Sequence, residues 1–325
     1  MARNNNDDDD AIDESDCCGN GCTNCILDHK PQPSQRAQLA GKRNVILTYA
    51  NFRLLSNEAY KADAQVRLMH FGYDTEHDAG DSILDIPPGH HVMLRTDATT
   101  PLLRPYSPYW SDFVAKEFKL LIKLQPNGPM SSFLANLQPL QVLQFRGPIG
   151  ANYVHDANGA KCIVIIAQGV AIAPTLPLVA QILDNEDDMN RIRHLICAQD
   201  LEHVYFRERL LEFAQYWNYS SCLYLAHQSC TCCDSNTPPT DQPCEQVRRQ
   251  LRYKEAAYTG RLEAKQLAAQ LPANDAENIV VIIAGHSSFQ REMSEQVAKV
   301  AGVSAGNIHL LKGTKLSITS TFIAC

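Results

Sequence analysis

The sequence predicts a two-domain β + α/β protein, a small antiparallel barrel followed by a doubly wound parallel-sheet domain. Three features predict it. Residues 45–155 alternate apolar and polar side chains in short runs punctuated by Gly, Pro and Asp, the pattern of strands with one face buried. Cys162-Ile163-Val164-Ile165-Ile166-Ala167 is instead a continuous apolar run, as a parallel strand covered on both faces should be. Beyond it, apolar runs alternate with helical patterns as far as Val300, which implies strands and helices in turn around one sheet.

The elements follow in order. Residues 1–40 read as an acidic, Cys-rich arm without a core, ending in Lys30-Pro31-Gln32-Pro33. The barrel domain is assigned to 41–155, with strands at Val45–Tyr49, His91–Leu94, Lys119–Leu124 and Val142–Arg146. One helix interrupts it, from near Met130 through Leu137. The α/β domain is assigned to 156–312. There the strand Cys162–Ala167 leads through a turn to a helix over Thr175–Leu183. Next come strand His194–Ala198, helix Phe206–Tyr216, strand Ser221–Ala226, strand Ile279–Ala284 and helix Phe289–Val300. Residues 229–256, with Cys230, Cys232, Cys233 and Cys244 among prolines, read as a Cys-rich insertion loop, and 313–325 as a tail.

Composition bounds the function. The chain has 325 residues, 45% hydrophobic and 20% charged, enough for two cores in a soluble protein. The net charge of −7 sits almost wholly in the first sixteen residues, where Asp7, Asp8, Asp9, Asp10, Asp13, Glu14 and Asp16 face Arg3 alone. The remainder is near neutral and shows no basic patch, which argues against nucleic acid as a partner. The start lacks the apolar run of a secretory signal. Ile163–Leu183 approaches the length of a membrane span, but Gln168, Pro174, Pro177 and Gln181 fit a strand–turn–helix. The expectation is an intracellular chain, cytoplasmic or peripheral to a membrane, with no transmembrane segment. Without a signal, twelve cysteines read as thiols or metal ligands rather than a disulfide framework.

Chemistry concentrates at three landmarks. Arg104-Pro105-Tyr106-Ser107 offers a fork-shaped cation suited to phosphate, a flat ring with a hydroxyl, and a small donor. Strand alternation puts residues 104 and 106 on one face and 105 and 107 on the other. Asn127-Gly128-Pro129-Met130-Ser131-Ser132 opens a helix, with Pro129 in the first turn where its missing N–H costs little and free N–H groups that favour anions. Arg146-Gly147-Pro148-Ile149-Gly150 follows.

With Ile86-Pro87-Pro88-Gly89-His90-His91-Val92 and Leu121-Ile122-Lys123, these segments resemble the NADH–cytochrome b5 reductase family of the ferredoxin-reductase superfamily, over about residues 45–311. The resemblance implies a flavin-binding barrel and a nicotinamide-binding α/β domain, with FAD and NAD(H) as cofactors. It places Arg104, Pro105, Tyr106, Ser107, Ile122, Lys123, Gly128, Met130 and Ser131 at the flavin. It implies a hydride passed from NADH to flavin, and single electrons passed on to cytochrome b5 or a similar haem or iron acceptor protein. Asn127 and Pro129 stand where the family usually has Gly and Lys. His90 and His91 read as barrel packing rather than ligands.

The nicotinamide half departs further. A dinucleotide needs a Gly-rich turn that lets the pyrophosphate approach backbone N–H groups. Here Ala167-Gln168-Gly169-Val170-Ala171-Ile172-Ala173-Pro174 keeps only Gly169, Ile172 and Pro174 of the family's Gly-Gly-Thr-Gly-Ile-Thr-Pro. The family's later Cys-Gly-Pro-Pro is replaced by Ala284-Gly285-His286-Ser287, so Gly285 remains and the thiol does not. Two alternatives to a working reductase therefore stand: a flavin-binding homologue weakened in catalysis, with a regulatory or scaffold role, and a thiol- or metal-binding interaction protein. The last draws on Asp16-Cys17-Cys18-Gly19-Asn20-Gly21-Cys22-Thr23-Asn24-Cys25, which resembles the oxidoreductase-like N-terminal module found before reductase domains of this type. Its four thiols, Cys17, Cys18, Cys22 and Cys25, are candidate ligands for a tetrahedral metal, with a redox dithiol or partner docking as the other uses.

Overall fold

The computed structural model describes residues 42–61, 63–74, 81–96, 101–150, 153–157, 161–228, 242–271, 278–301 and 303–312. These fall into two compact units, one ending at Gly150 and the second taking up the chain beyond it. No helix among the described residues is long and apolar enough to cross a membrane.

The first unit is built on nine strands: β1 (Arg43–Asn44), β2 (Ala50–Tyr60), β3 (Asp63–Tyr73), β4 (Ser82–Ile83), β5 (His91–Arg95), β6 (Leu103–Tyr106), β7 (Pro108–Asp112), β8 (Glu117–Lys123) and β9 (Val142–Ile149). Seven form one antiparallel sheet in the order β6-β5-β9-β2-β3-β8-β7. Its two edge strands, β6 and β7, are consecutive in the chain and separated only by Ser107. The chain thus steps from one edge of the sheet to the other in a single residue, and the sheet closes into a barrel. Phe52, Phe71, Phe118 and Phe145 fill it, each fully buried. Phe118 contacts the other three at ring-centroid distances of 5.0–5.5 Å, the separation at which edge and offset aromatic contacts are favourable. Gly147 lies where β9 crosses β5: a Cβ there would sit 3.1 Å from Val92 Cγ1 and 3.2 Å from the His91 carbonyl.

One expected strand is absent. Val45–Thr48 is a turn, and only Arg43–Asn44 pairs, in parallel with β4. The reason is Asn44, buried in the wall. Its side-chain oxygen accepts the Asp85 N–H at 3.1 Å and the Ile46 N–H at 3.4 Å, and its amide donates to the Asp85 carbonyl at 2.9 Å. Past the last ladder bond, from the Val45 N–H to the Ile83 carbonyl at 2.9 Å, these side-chain bonds bend the chain and let Val45 and Ile46 enter the core. The long hairpin β2–β3 was not singled out by sequence, because Asn51, Arg53, Ser56, Asn57 and Glu58 interrupt its apolar rhythm.

Helix α1 (Pro129–Ala135) starts at Gly128, with Pro in its first turn. The Asn57 amide on β2 holds its far end, donating to the carbonyls of Leu134 at 3.2 Å and Leu137 at 3.0 Å, and Arg67 Nε donates to Asn57 Oδ1 at 2.9 Å.

The second unit carries six parallel strands: β10 (Cys162–Gln168), β11 (Arg191–Ala198), β12 (Tyr219–Leu225), β13 (Ala256–Thr259), β14 (Ile279–Gly285) and β15 (Ile308–Lys312). The spatial order is β13-β12-β11-β10-β14-β15. Helices α2 (Thr175–Leu183) and α3 (Arg207–Phe213) follow β10 and β11. Helices α4 (Glu245–Arg248), α5 (Ala264–Gln270) and α6 (Ser287–Ala301) come later. Val164, Ile166, Val281 and Ile283 pack under Leu267 of α5 and Met293 and Val297 of α6. The opposite side chains, Ile163 and Ile165, are also buried, which is why these strands read as unbroken apolar runs.

The stretch expected as an insertion loop is structured over 242–256, its described part. It forms α4, and Glu255 binds Arg207 of α3 with both carboxylate oxygens, one bond being 2.6 Å from Nε. Residues 153–157 are tied to the same unit through a buried His155–Asp188 pair, with Tyr153 OH 3.1 Å from His155 Nδ1.

Phe118→Ala removes the ring at the centre of the aromatic cluster. It should cost about 3–5 kcal/mol, read as a lowered unfolding midpoint for the barrel in denaturant.

Candidate functional site

Two groups of candidate residues emerge, one in each unit. In the barrel, β6 pairs with β5 so that Tyr106 opposes Val92, Pro105 opposes Met93 and Arg104 opposes Leu94. Directly paired residues share a face, so Arg104 and Tyr106 lie on one side and Pro105 on the other, as strand alternation predicts. Ser107 is the closure residue. Across the seam, Pro108 pairs with Leu120 on β8, which runs the opposite way. The chain before Pro108 therefore heads toward the end of β8, where Ile122 and Lys123 stand. The loop after β8 is tied to α1 through Gln125, whose N–H donates to Ser131 Oγ at 2.9 Å. The Arg104–Ser107 strand, the end of β8 and the start of α1 thus cluster at one end of the barrel.

Their side chains differ in availability. The Arg104 guanidinium donates to the Leu103 carbonyl at 2.7 Å, and among the described residues no carboxylate pairs with it. Lys123 is exposed. Burial pushes the Tyr106 phenol above its ordinary range, with the Arg104 charge partly opposing, so it stays protonated and keeps its donor. Ile122 and Met130 are 5% exposed and belong to the core. Only their backbones are free to meet a ligand. The Ser131 oxygen is already an acceptor for Gln125, which leaves its proton as the group on offer. Gly128 is close-packed against Ser131, with a Cβ there lying 3.2 Å from Ser131 Oγ. His91 is buried in β5 and His90 stands just before the strand.

In the second unit the sheet order reverses direction beside β10. From β10 the chain moves outward through β11, β12 and β13, then returns to β14 on the other side. Ligands of open α/β sheets bind at the carboxyl ends of strands flanking such a reversal. Those ends are Gln168 and Gly285. They follow directly on the last β10–β14 pair, Ala167 with Ala284. Gly169 opens a 3-10 turn (Gly169–Ile172) at φ +55, a conformation that glycine adopts without strain, and nothing lies within 4 Å of where its Cβ would be. Pro174 is the cap residue before α2. Ala284, where the resembled family has a thiol, is fully buried and offers only a methyl group.

Two features here were not legible in the sequence. Gln168 reaches over Gly285, its Cβ 3.1 Å from where a Gly285 Cβ would be, and its Oε1 accepts the His286 N–H at 3.4 Å. His286 itself caps α6, with Nδ1 accepting the Ser288 N–H at 3.3 Å. The second feature is a buried relay behind the turn. Thr175 Oγ1 donates to the Ile172 carbonyl at 2.7 Å and so accepts from His194 Nε2 at 3.3 Å. His194 Nδ1 then accepts from Tyr219 OH at 3.1 Å. Burial lowers the His194 pKa from 6.5 to about 3, so the ring is neutral and fixes the turn to β11 and β12. No local signal marks a histidine inside an apolar strand as such a link.

Burial also pushes the Cys197 thiol up to about 12 and the Cys222 thiol up to about 11, which leaves both protonated and unreactive at neutral pH. Among the described residues no group of three or more His, Cys, Asp or Glu side chains is placed to hold a metal ion. Cys17, Cys18, Cys22 and Cys25 lie outside the described residues, as do Cys230, Cys232 and Cys233.

Comparison with known proteins agrees with this geometry. The oxidoreductase FAD-binding domain family matches residues 57–153. The chain is 27% identical over 226 residues to a human NADH-cytochrome b5 reductase-like protein, covering 66% of this chain and 71% of the relative. It is 24% identical over 301 residues to the mouse protein of that description, covering 86% and 88%. In structure it resembles the cytochrome b5 reductase domain of Ulva prolifera nitrate reductase, with a TM-score of 0.64 at 19% identity, covering 82% of this chain and 98% of that one. The fold is thus the two-domain arrangement of ferredoxin-reductase-like proteins, an antiparallel barrel that carries the match to the oxidoreductase FAD-binding domain and a doubly wound α/β unit. Among curated proteins the chain is similar to NADH-cytochrome b5 reductase-like proteins, the resemblance that the motifs from Ile86 to Gly150 carry.

Two expectations follow from the geometry. Gly285→Ala places a methyl 2.6 Å from Phe289 Cδ1 and 3.1 Å from Gln168 Cβ. It should destabilise the second unit by about 1–3 kcal/mol, measured by chemical denaturation. The His194 effect is signed by linkage: the unfolded ring takes a proton below 6.5, while the folded ring does so only near 3. Stability from this site is complete above 6.5 and is lost as pH falls toward 3. Unfolding midpoints measured from pH 7 to pH 4 should fall in the wild type, and His194→Phe should flatten that decline.

Proposed function

We propose that the chain is an FAD-dependent reductase that takes a hydride from NADH and passes electrons singly to a haem or iron protein such as cytochrome b5. The observation that carries this reading is the barrel end itself, where Arg104, Tyr106 and Ser107 lie inside the segment matched to the FAD-binding domain. Bound FAD supplies the redox chemistry, accepting two electrons from a nicotinamide and releasing them one at a time.

The donor set fits such a group. Arg104, half-buried and without a carboxylate partner among the described residues, would meet the diphosphate as a charge-assisted donor, with Lys123 as a second cation. Tyr106 would present a ring face and a protonated hydroxyl. Ser107 and the Ser131 hydroxyl would donate. Pro105 would hold the strand extended, and the backbones of Ile122, Gly128 and Met130 would line the cofactor. In the α/β unit, Gly169, Pro174 and Gly285 would admit the dinucleotide at the sheet reversal. The acceptor is taken from the names of the relatives, since the near-neutral body offers no strong steering field of its own.

Arg104→Ala should weaken FAD retention by about 10- to 100-fold, as loss of a charged hydrogen bond implies. Flavin-to-protein absorbance after gel filtration measures it, and full retention would remove Arg104 from the site. The reading as a whole is tested by anaerobic titration with NADH. Bleaching of the flavin band is the expected result, and a flavin that stays oxidised would favour a homologue weakened in catalysis.

A further inference from the structure

The reversal crevice of the α/β unit is partly filled by the protein's own side chain. Gln168 ends β10 and Gly285 ends β14, so the two flank the place where a ligand would enter between diverging loops. A Cβ on Gly285 would meet Phe289 Cδ1 at 2.6 Å and, on the crevice side, Gln168 Cβ and Oε1 at 3.1 and 3.3 Å. The same Oε1 accepts the backbone N–H of His286, the residue immediately before the fifteen-residue helix α6. Free N–H groups at a helix start are where a ligand's acceptor oxygens bind, and here a side-chain carbonyl takes that place. On the neighbouring turn the space above Gly169 is open. The Gly169 side of the crevice is thus clear, while the Gly285 side is lined by Phe289 and crossed by the Gln168 side chain.

We propose that Gln168 is a gate on the dinucleotide crevice, a side chain that a nicotinamide dinucleotide must displace before its own acceptor atoms reach the start of α6. This rests on the nicotinamide reading of that crevice. The bond to His286, at 3.4 Å, is long, so the gate opens at small cost and lowers affinity rather than abolishing binding. A ligand that binds only the open form has its dissociation constant raised by the closed fraction. Removing the gate therefore strengthens binding, which simple damage to the fold does not do.

The test uses the full, FAD-loaded chain, with Gln168→Ala and Gln168→Gly as variants. Binding of NAD+ is measured by isothermal titration calorimetry, and bleaching of the flavin by NADH is followed in parallel. The expected result is a Kd for NAD+ about five-fold lower in either folded variant, the size of one modest hydrogen bond with its contact, at unchanged flavin content. A Kd that is unchanged or higher in both folded variants overturns the gate, while the reductase reading stands if NADH still bleaches the wild type. If neither wild type nor variants bind NAD+ or bleach, the nicotinamide reading falls and the gate falls with it.

Discussion

Sheet edges of unpaired N–H and C=O groups are a liability, and in the barrel the two edge strands are brought together through Ser107. Because β6 and β7 are successive strands and also the two ends of the seven-strand order, closing the sheet and placing the Arg104–Ser107 segment are one event. The four phenylalanines pack together inside the closed sheet, and Gly147 allows β9 to lie against β5. A strand that turns from one edge to the other exposes its residues at the barrel's end. That is why a cation, a phenol and a hydroxyl within four residues can face one ligand.

The second unit solves a different problem. Parallel strands need crossovers, and the point where crossovers change direction leaves a crevice that no loop fills. Here the crevice is shaped by Gln168 and Gly285 and braced from behind by neutral His194, whose two ring nitrogens join α2 to β12. Among the described residues no carboxylate pairs with His194, and burial keeps the ring neutral.

The candidate site was legible in part. The register places Arg104 and Tyr106 on one face of β6, as strand alternation predicts, because side-chain direction follows from strand spacing alone. Ile122 and Met130 were readable as motif members, but their side chains turned out to be core. A motif marks a backbone position without saying which way the side chain points. Ser131 was expected as a ligand donor and is also a local acceptor for Gln125. The Gln168–His286 contact spans 118 residues, and no local pattern announces a bond of that range.

The sequence by itself determined the class of each half, since hydrophobic period follows directly from which faces are buried. Alternation marked the barrel, and unbroken apolar runs marked the parallel sheet. It placed α2 at Thr175–Leu183, in agreement with the structure, because Pro174 and the apolar stripe both act within one turn of helix. Tertiary structure decided the rest. It turned Val45–Thr48 away from strand pairing through the Asn44 side chain. It ordered 242–256 through the Arg207–Glu255 pair and set Gln168 across Gly285. Each of these depends on a partner distant in sequence, and only the folded chain brings such partners into contact.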